Sequence, residues 1–119
     1  MQIVTCDSSV GKEMTMDDSS FILTPIIRNA AHIRMAMLTL EANQTIPEHE
    51  ANPDQLFLVV QGSGWVSGSD ATPTEIRAGQ AAFFAEGEKH ASGTNDGMVV
   101  LSIEGIDLHN TIPLLYYST

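Results

Sequence analysis

The residues best suited to chemistry lie in two short stretches of the chain. The first, TIPEHEANPDQLFLVVQGSG (residues 45–64), places His49 between two glutamates and six residues ahead of Gln55. The second, GQAAFFAEGEKHASGTN (residues 79–95), contains His90 after an apolar run and a glycine turn. Imidazole is a good ligand for zinc, copper, iron and nickel. These stretches therefore suggest a metal site, the remains of one, or a polar loop ahead of a β-strand.

The other reactive side chains give weaker evidence of a functional site. Cys6 is the single cysteine, so an intrachain disulfide is excluded, and no basic residue near it in the sequence would stabilise a thiolate. His32 and His109 lie outside both stretches, and we expect them at the surface or at a sheet edge. No nucleophile is paired with a base in a recognisable pattern. The sequence therefore assigns no catalytic residue.

The elements that must position these groups are β-strands. Apolar residues occur in short or alternating runs that Gly, Pro, Asn and Asp interrupt, and no long window has the 3.6-residue period of a helix. This pattern is typical of an all-β sandwich or barrel. The predicted strands are Phe21 to Arg28, His32 to Leu40, Leu56 to Gln61, Gly64 to Ser67, Glu75 to Arg77, Ala81 to Phe84, Met98 to Glu104 and Thr111 to Tyr117.

Two segments need separate interpretations. Residues 1–20 are polar and weakly patterned, which predicts either a loose arm or an edge strand that pairs with a neighbour. Gly62, Gly64 and Gly68 resemble a phosphate-binding loop, but such a loop must open a helix. The alternation at Trp65 indicates a strand instead, so we expect these glycines in a hairpin.

Composition restricts the classes of partner. The 119 residues fit one domain spanning 1–119, and 15 acidic against 5 basic residues give a formal charge of -10. This charge disfavours binding to nucleic acid or to an anionic membrane surface, since both depend on Lys and Arg. The N-terminal residues lack the basic start and apolar run of a signal peptide, and no run is long enough to span a membrane. We therefore expect a cytoplasmic protein.

The first stretch keeps the spacing of one half of a known two-part motif. That half is a glycine, five residues, His-x-His, three or four residues, Glu, six residues and Gly. Here Asn43 takes the first glycine position, His49 the first His, Ala51 the second His, Gln55 the Glu and Gly62 the last Gly. The spacing is kept although three of the five residue types differ.

The second stretch keeps the spacing of the other half. That half is Gly, five residues, Pro-x-Gly, two residues, His, three residues and Asn. Gly79, Gly87 and His90 match it, whereas Ala85 stands in place of Pro and Thr94 in place of Asn. With both halves present, the chain resembles the cupin superfamily.

The resemblance covers about residues 32 to 104 and implies a double-stranded β-helix, a small jelly-roll barrel. Family members hold manganese, iron, nickel, copper or zinc with two His and a Glu from the first half and a His from the second. By position this implies His49, Gln55 and His90 as metal ligands, whereas the side chain of Ala51 has no atom that could bind a metal. It further implies a small-molecule ligand, and a metal-dependent enzyme acting on a small organic substrate. The alternative is a non-catalytic small-molecule-binding cupin that has lost its metal.

The strand register at the first histidine has two solutions. If four residues separate the second ligand position from Gln55, then Glu48 and Glu50 face the interior and His49 faces outward, because strand side chains alternate. The spacing from Asn43 favours His49 inside. Both registers fall within the range that the family allows.

Three further residues are expected to line the barrel pocket. Phe57 shares the parity of Gln55, and Phe84 faces inward by its place in the motif. Glu50 joins them if the bend that follows it is irregular. Phe83 should then point away from the interior, against other structure or a partner subunit.

The early strands also suggest self-association. The runs FILTPII (residues 21–27) and MAML (residues 35–38) carry apolar residues on both faces, which one thin barrel cannot cover. Family members of this size are often dimers, so the resemblance also implies a homodimer.

Overall fold

The computed structural model describes residues 1–116, which form ten β-strands and three short 3₁₀ turns. The all-β prediction is confirmed, and none of the helical segments in this part of the chain could cross a membrane. The turns lie at Ser8–Val10, Leu108–Asn110 and Pro113–Tyr116. The strands are β1 Gln2–Thr5, β2 Lys12–Met16, β3 Ser19–Leu23, β4 Arg34–Leu40, β5 Thr45–Glu50, β6 Asp54–Ser67, β7 Thr74–Arg77, β8 Gln80–Phe84, β9 Lys89–Gly93 and β10 Met98–Gly105.

The strands make two antiparallel layers that share β6. The first layer has the order β1-β8-β6-β10-β4 and uses the first half of β6. In the second layer β7 and β9 flank the second half of β6, and β5 pairs with β9. Strands β2 and β3 form a separate hairpin that pairs with no other strand of residues 1–116.

Strand β6 passes between the layers at Gly62. The backbone there has φ of +80°, which favours glycine, and the Gly97 carbonyl occupies the space where a Cβ would lie. The Thr94 hydroxyl fixes the adjoining turn, since it donates to the Ser63 carbonyl and accepts the Gly97 N–H. The hairpin predicted for Gly62, Gly64 and Gly68 is formed by β6 and β7, with Gly68 in the loop between them, but Gly62 and Gly64 lie inside the first strand and not at the turn.

The main core fills the space between the two layers. Phe57 and Phe84 project into it and meet edge to face, with ring centroids 6.2 Å apart. Both aromatic side chains therefore lie inside the barrel. The buried members of this core are Leu40, Ala51, Phe57, Val59, Val66, Ile76, Ala82, Phe84, Met98 and Val100.

A second core lies on the outer face of the first layer. Phe83 is buried there beside Val4 of the edge strand β1, as the alternation along β8 predicts. Residues that follow β10 and residues 24–30 cover this face. The buried members are Val4, Leu56, Ala81, Phe83, Ile103, Leu108, Ile112 and Leu114.

Two predicted strands differ from the structure. Residues 111–116 form no strand: Pro113 begins a 3₁₀ turn, and Ile112 is buried in the outer core. Proline lacks the N–H that a sheet ladder requires. Tyr117 lies outside the described residues. The strand predicted to begin at Phe21 ends at Leu23, before Pro25, for the same reason.

Other strands were not predicted from the sequence. Strands β2, β5 and β9 are short and polar, so their hydrophobic pattern is weak. The two strands predicted at Leu56 to Gln61 and Gly64 to Ser67 are one strand, because Gly62 redirects the chain without interrupting its pairing.

A buried carboxylate joins the start of β6 to two other segments next to the barrel. The Asp54 carboxylate accepts the Glu86 N–H at 2.8 Å, the His109 N–H at 3.2 Å and the His109 Nδ1–H at 2.8 Å. Burial raises the pKa of Asp54, but these hydrogen bonds outweigh burial and hold the pKa below its ordinary value. Since the folded state favours the charged form, Asp54 stabilises the fold above its unfolded pKa.

We expect Asp54→Asn to lower the free energy of unfolding at pH 7 by about 1–3 kcal/mol, because the amide loses the charged acceptor and presents N–H groups to donors. The stability that the charge confers is lost as pH falls through the folded pKa of Asp54. Urea unfolding of both proteins from pH 7 to pH 3 should therefore show the difference shrinking towards low pH. A difference that grows towards low pH would contradict the depressed pKa.

Candidate functional site

His49 and His90 meet across the second layer. They are directly opposed residues of β5 and β9, and their ring centroids lie 4.3 Å apart at an interplanar angle of 58°. His90 is buried, whereas His49 is exposed. The pair therefore lies where the barrel interior reaches solvent.

A β-bulge sets which side chain of β5 faces inward. Ile46 pairs with Ser92 and His49 pairs with His90, so β5 has one more residue than β9 between these two pairs. Ile46 packs against the main core, and strict alternation from it would turn Glu48 inward. The bulge shifts the alternation of inward and outward side chains by one residue after Pro47. Proline has no N–H to donate to the neighbouring strand, so it is tolerated at such a point. His49 therefore lies opposite His90, and the register with Glu48 inside is not observed.

Both imidazoles are oriented by backbone carbonyls. His49 Nδ1 lies 2.8 Å from the Pro47 carbonyl oxygen, and His90 Nδ1 lies 3.1 Å from that of Glu88. A carbonyl oxygen only accepts, so each Nδ1 carries a proton. In the neutral rings each Nε2 therefore keeps its lone pair. Metal-binding histidines are usually fixed by such a bond through the other ring nitrogen.

The surroundings of His90 keep its ring neutral. Burial lowers the pKa of His90, and the hydrogen bond to the Glu88 carbonyl opposes this only in part. The ring stacks on Phe84, with centroids 4.1 Å apart and an interplanar angle of 13°. A neutral imidazole held against an aromatic face is ready to act as an electron-pair donor.

Gln55 lies in the first layer, next to the aromatic residue that stacks on His90. Its cross-strand neighbour on β8 is Phe84. The Gln55 side chain is buried, and its Nε2 donates to the Ser102 hydroxyl at 2.8 Å. This bond fixes the amide nitrogen and leaves Oε1 as the end of the group that suits a cation. Ser102 was not anticipated from the sequence, since it carries no motif signal.

The residues beside His49 do not complete a ligand set. Glu50 is exposed and lies opposite Lys89, on the face away from His49, so the expectation that it lines the pocket is wrong. The bend after it leaves the alternation of β5 intact up to Ala51, which is buried in the main core. The second His position of the motif is therefore filled by a methyl group.

The remaining reactive residues lie elsewhere. His32 is exposed, and His109 bonds to Asp54. Burial, together with the charge of Asp7, raises the pKa of Cys6 to about 11, so its thiol stays protonated at neutral pH.

The donor set is sparse for a metal centre. Within residues 1–116, no group of three or more His, Cys, Asp or Glu side chains is placed to hold an ion. The two imidazoles and one amide supply donor atoms but no negative charge. They fit a cation that prefers nitrogen ligands and keeps water in its other positions, at an affinity below that of a four-ligand site.

Comparisons with known proteins identify the fold. No family model and no curated protein sequence matches the chain. Solved structures do match, at low identity. A cupin superfamily protein from Desulfitobacterium hafniense has a TM-score of 0.60 at 17% identity, over 69% of this chain and 74% of that one.

Two further structures extend the match. An RmlC-like cupin with a double-stranded β-helix fold, from Methanocaldococcus jannaschii, has a TM-score of 0.60 at 12% identity and covers 83% of this chain and 93% of its own. A predicted oxalate decarboxylase from Thermotoga maritima has a TM-score of 0.58 at 16% identity, over 85% and 97%. These likenesses, together with the two antiparallel layers that share β6, show that the chain has the double-stranded β-helix fold of the cupin structures it resembles.

Proposed function

We propose that the chain binds a divalent cation between His49 and His90. The observation that carries this proposal is the cross-strand imidazole pair whose Nδ1 atoms are both engaged by backbone carbonyls. Two rings 4.3 Å apart, each with an available Nε2, form a two-point nitrogen site. Such a site is oriented before the ion arrives, so binding orders few additional groups.

The donor chemistry narrows the choice among manganese, iron, nickel, copper and zinc. Imidazole without a neighbouring carboxylate favours copper, zinc and nickel, whereas manganese prefers oxygen ligands. Among divalent first-row ions the affinity of a given site rises towards copper. We therefore expect copper and zinc to bind more tightly than manganese or iron.

Gln55 is proposed as the third protein ligand. Its amide nitrogen is held by Ser102, and it neighbours Phe84, the residue on which His90 stacks. An amide oxygen contributes no charge, so its bond to the cation is weaker than that of a carboxylate. The site would thus keep open positions for water or for an oxygen atom of a small organic molecule.

The packed interior of the barrel restricts where that molecule can bind. Phe57 and Phe84 fill the space beneath the histidines, so a ligand must approach from the solvent side, next to exposed His49. A bound cation would supply Lewis acidity towards a small carboxylate or phenol. A metal-dependent reaction on such a substrate is the enzymatic form of the proposal, and no side chain is assigned as its acid or base.

A metal-free binding barrel is the second candidate. It is favoured by Ala51, which places a buried methyl group where a histidine ligand would lie, and by the neutral amide at Gln55. In that case His49 and His90 would hydrogen-bond a small polar ligand through Nε2. Elemental analysis of protein purified without a histidine tag discriminates between the two candidates, since only the first predicts bound metal.

We expect His49→Ala and His90→Ala each to weaken zinc or copper binding by about tenfold or more, because each removes one of two imidazole ligands. Isothermal titration calorimetry at pH 7 measures the change. His32→Ala serves as the matched control, since His32 is exposed and lies outside the pair. Equal losses in all three variants, or none in His49→Ala, would contradict the site.

We expect Gln55→Glu to tighten binding of zinc, iron or manganese by about tenfold or more, because a carboxylate adds charge at nearly constant volume. Without metal, the buried charge should lower the free energy of unfolding by about 1–3 kcal/mol. Added metal should restore the melting temperature.

Gln61→Glu is the control for this variant, since it adds the same charge on the same strand at an exposed position. Calorimetric titration and thermal melts with and without metal should leave Gln61→Glu close to wild type. If Gln55→Glu binds metal no better than wild type, then Gln55 does not face the ion.

A further inference from the structure

A row of side chains on the inner face of the first layer ends in two opposite charges. The strand registers place Phe84, Gln55, Glu104 and Arg34 side by side on β8, β6, β10 and β4. Opposed residues of neighbouring strands share a face, and Phe84 projects into the main core, so all four lie on the inner face. We call these four residues the mouth row.

The charged half of the mouth row is an ion pair that solvent can reach. Arg34 Nη2 donates to Glu104 Oε2 at 3.0 Å, and the Arg34 side chain is 75% exposed. Ala36, the next inward residue of β4, is also exposed. The barrel is therefore open along this edge, and a ligand in solution can approach the guanidinium from there.

The mouth row also borders the histidine pair. His90 stacks on Phe84, which forms one end of the row. Burial lowers the pKa of His90, and the charge of Glu104 is one of the groups that oppose this effect. The Glu104 carboxylate therefore lies near enough to His90 for its charge to act on the ring. The ion pair and the imidazoles thus face the same opening.

A surface cavity of about 370 Å³ adjoins the ion pair. Its lining consists of His32, Ile33, Arg34, Pro53, Glu104 and Ile106. Ile33 and Ile106 are both exposed, so the cavity has apolar walls beside its charged end. A cavity of this size, with apolar walls and a few polar groups, is typical of a site for one small molecule.

Arg34 is the basic residue that faces this opening. Among the other basic residues of the chain, Lys89 and Arg77 are neighbours of inward-facing residues and therefore point outward, whereas Lys12 and Arg28 lie outside the two layers. The formal charge of -10 repels anions, but salt screens this repulsion beyond about 8 Å. An anion that enters the opening therefore depends on Arg34 for a cationic partner within the protein.

The guanidinium can hold an anion without releasing Glu104. It carries its N–H donors in a planar fork, and the bond to Glu104 uses Nη2. A carboxylate matches two parallel donors of such a fork, whereas a phenol or an amide offers one acceptor oxygen. An exposed ion pair adds little stability, so the main effect of Glu104 is to orient the fork.

We infer that Arg34 is the anion-binding residue at the mouth of the barrel and that the small ligand is an organic carboxylate. The carboxylate pairs with the Arg34 guanidinium, and the apolar part of the ligand lies against Ile33 and Ile106. This inference rests on the proposed small-ligand site. It does not rest on the cation, because Arg34 is not one of the proposed ligands of the cation.

Benzoate is a suitable probe, since it joins a carboxylate to an apolar ring. Benzoate titrated into metal-free, isotope-labelled protein at pH 7 should shift the NMR signals of backbone amides at residues 33–34 and 104–106. Benzamide, which has nearly the same shape and no charge, should bind about tenfold more weakly, and so should phenol. Equal binding of benzamide or phenol, or no binding of benzoate by wild type, would overturn the inference.

Three variants locate the binding charge. Arg34→Gln should weaken benzoate binding by about tenfold or more, because it removes both the charge and the fork. Arg34→Lys keeps the charge without the fork, so its affinity should lie between the two. Arg77→Gln is the matched control, since it removes an exposed arginine that points away from the opening.

Circular dichroism should show that all three variants stay folded, because both arginines are exposed. Arg77→Gln should bind benzoate as wild type does. Unchanged binding in Arg34→Gln, or an equal loss in Arg77→Gln, contradicts the assignment of Arg34.

A second titration with added zinc separates this inference from the proposed cation site. If benzoate binds through Arg34 while zinc fails to bind, the cation site is refuted and the inference stands. If zinc binds through His49 and His90 while Arg34→Gln leaves benzoate binding unchanged, the inference alone is refuted.

Discussion

Strand β6 hydrogen-bonds in both layers, and this sharing determines how the rest of the chain is placed. Its first half pairs with β8 and β10, and its second half with β7 and β9. Strands β1, β4 and β5 are each attached through one of these neighbours. The crossing at Gly62 sets the angle between the layers, and so the space that Phe57 and Phe84 must fill.

The site depends on this frame at two points. Strand β9 pairs with the second half of β6, and this register fixes the position of His90 along the layer. The bulge in β5 then places His49 opposite His90. Phe84 comes from the other layer and stacks on His90, so the two layers meet at the histidine pair. A site built from both layers is oriented by packing, and its rings lose little freedom when a ligand binds.

The two faces of the first layer have different partners. Its inner face packs on the second layer and leaves little room beneath the histidines, which directs any small ligand to the solvent side. Its outer face is covered in part by the segment after β10 and by residues 24–30, and in part stays apolar and exposed at Met35 and Met37. The chemistry proposed here therefore uses the inner side of the barrel, and the exposed apolar residues of the outer face take no part in it.

The sequence by itself determined which residues face inward where the pattern is local. Alternation separates Phe83 from Phe84, and motif spacing identified the fold and the two histidine positions. It could not place β5 and β9, whose polar composition carries no hydrophobic period. It also left the inward residue of β5 open, because alternation alone favours Glu48 as readily as His49.

Only the tertiary structure decided these points, because they depend on pairing between strands far apart in the chain. The bulge after Pro47 exists only against the ladder of β9, and it reverses the alternation that a regular strand continuing from Ile46 would have. The bond of Asp54 to His109, the buried methyl of Ala51 in the second histidine position and the exposed β2–β3 hairpin likewise depend on contacts that no local pattern encodes. Hydrogen-bond register is a long-range property, and one extra residue in one strand changes which side chain enters the site.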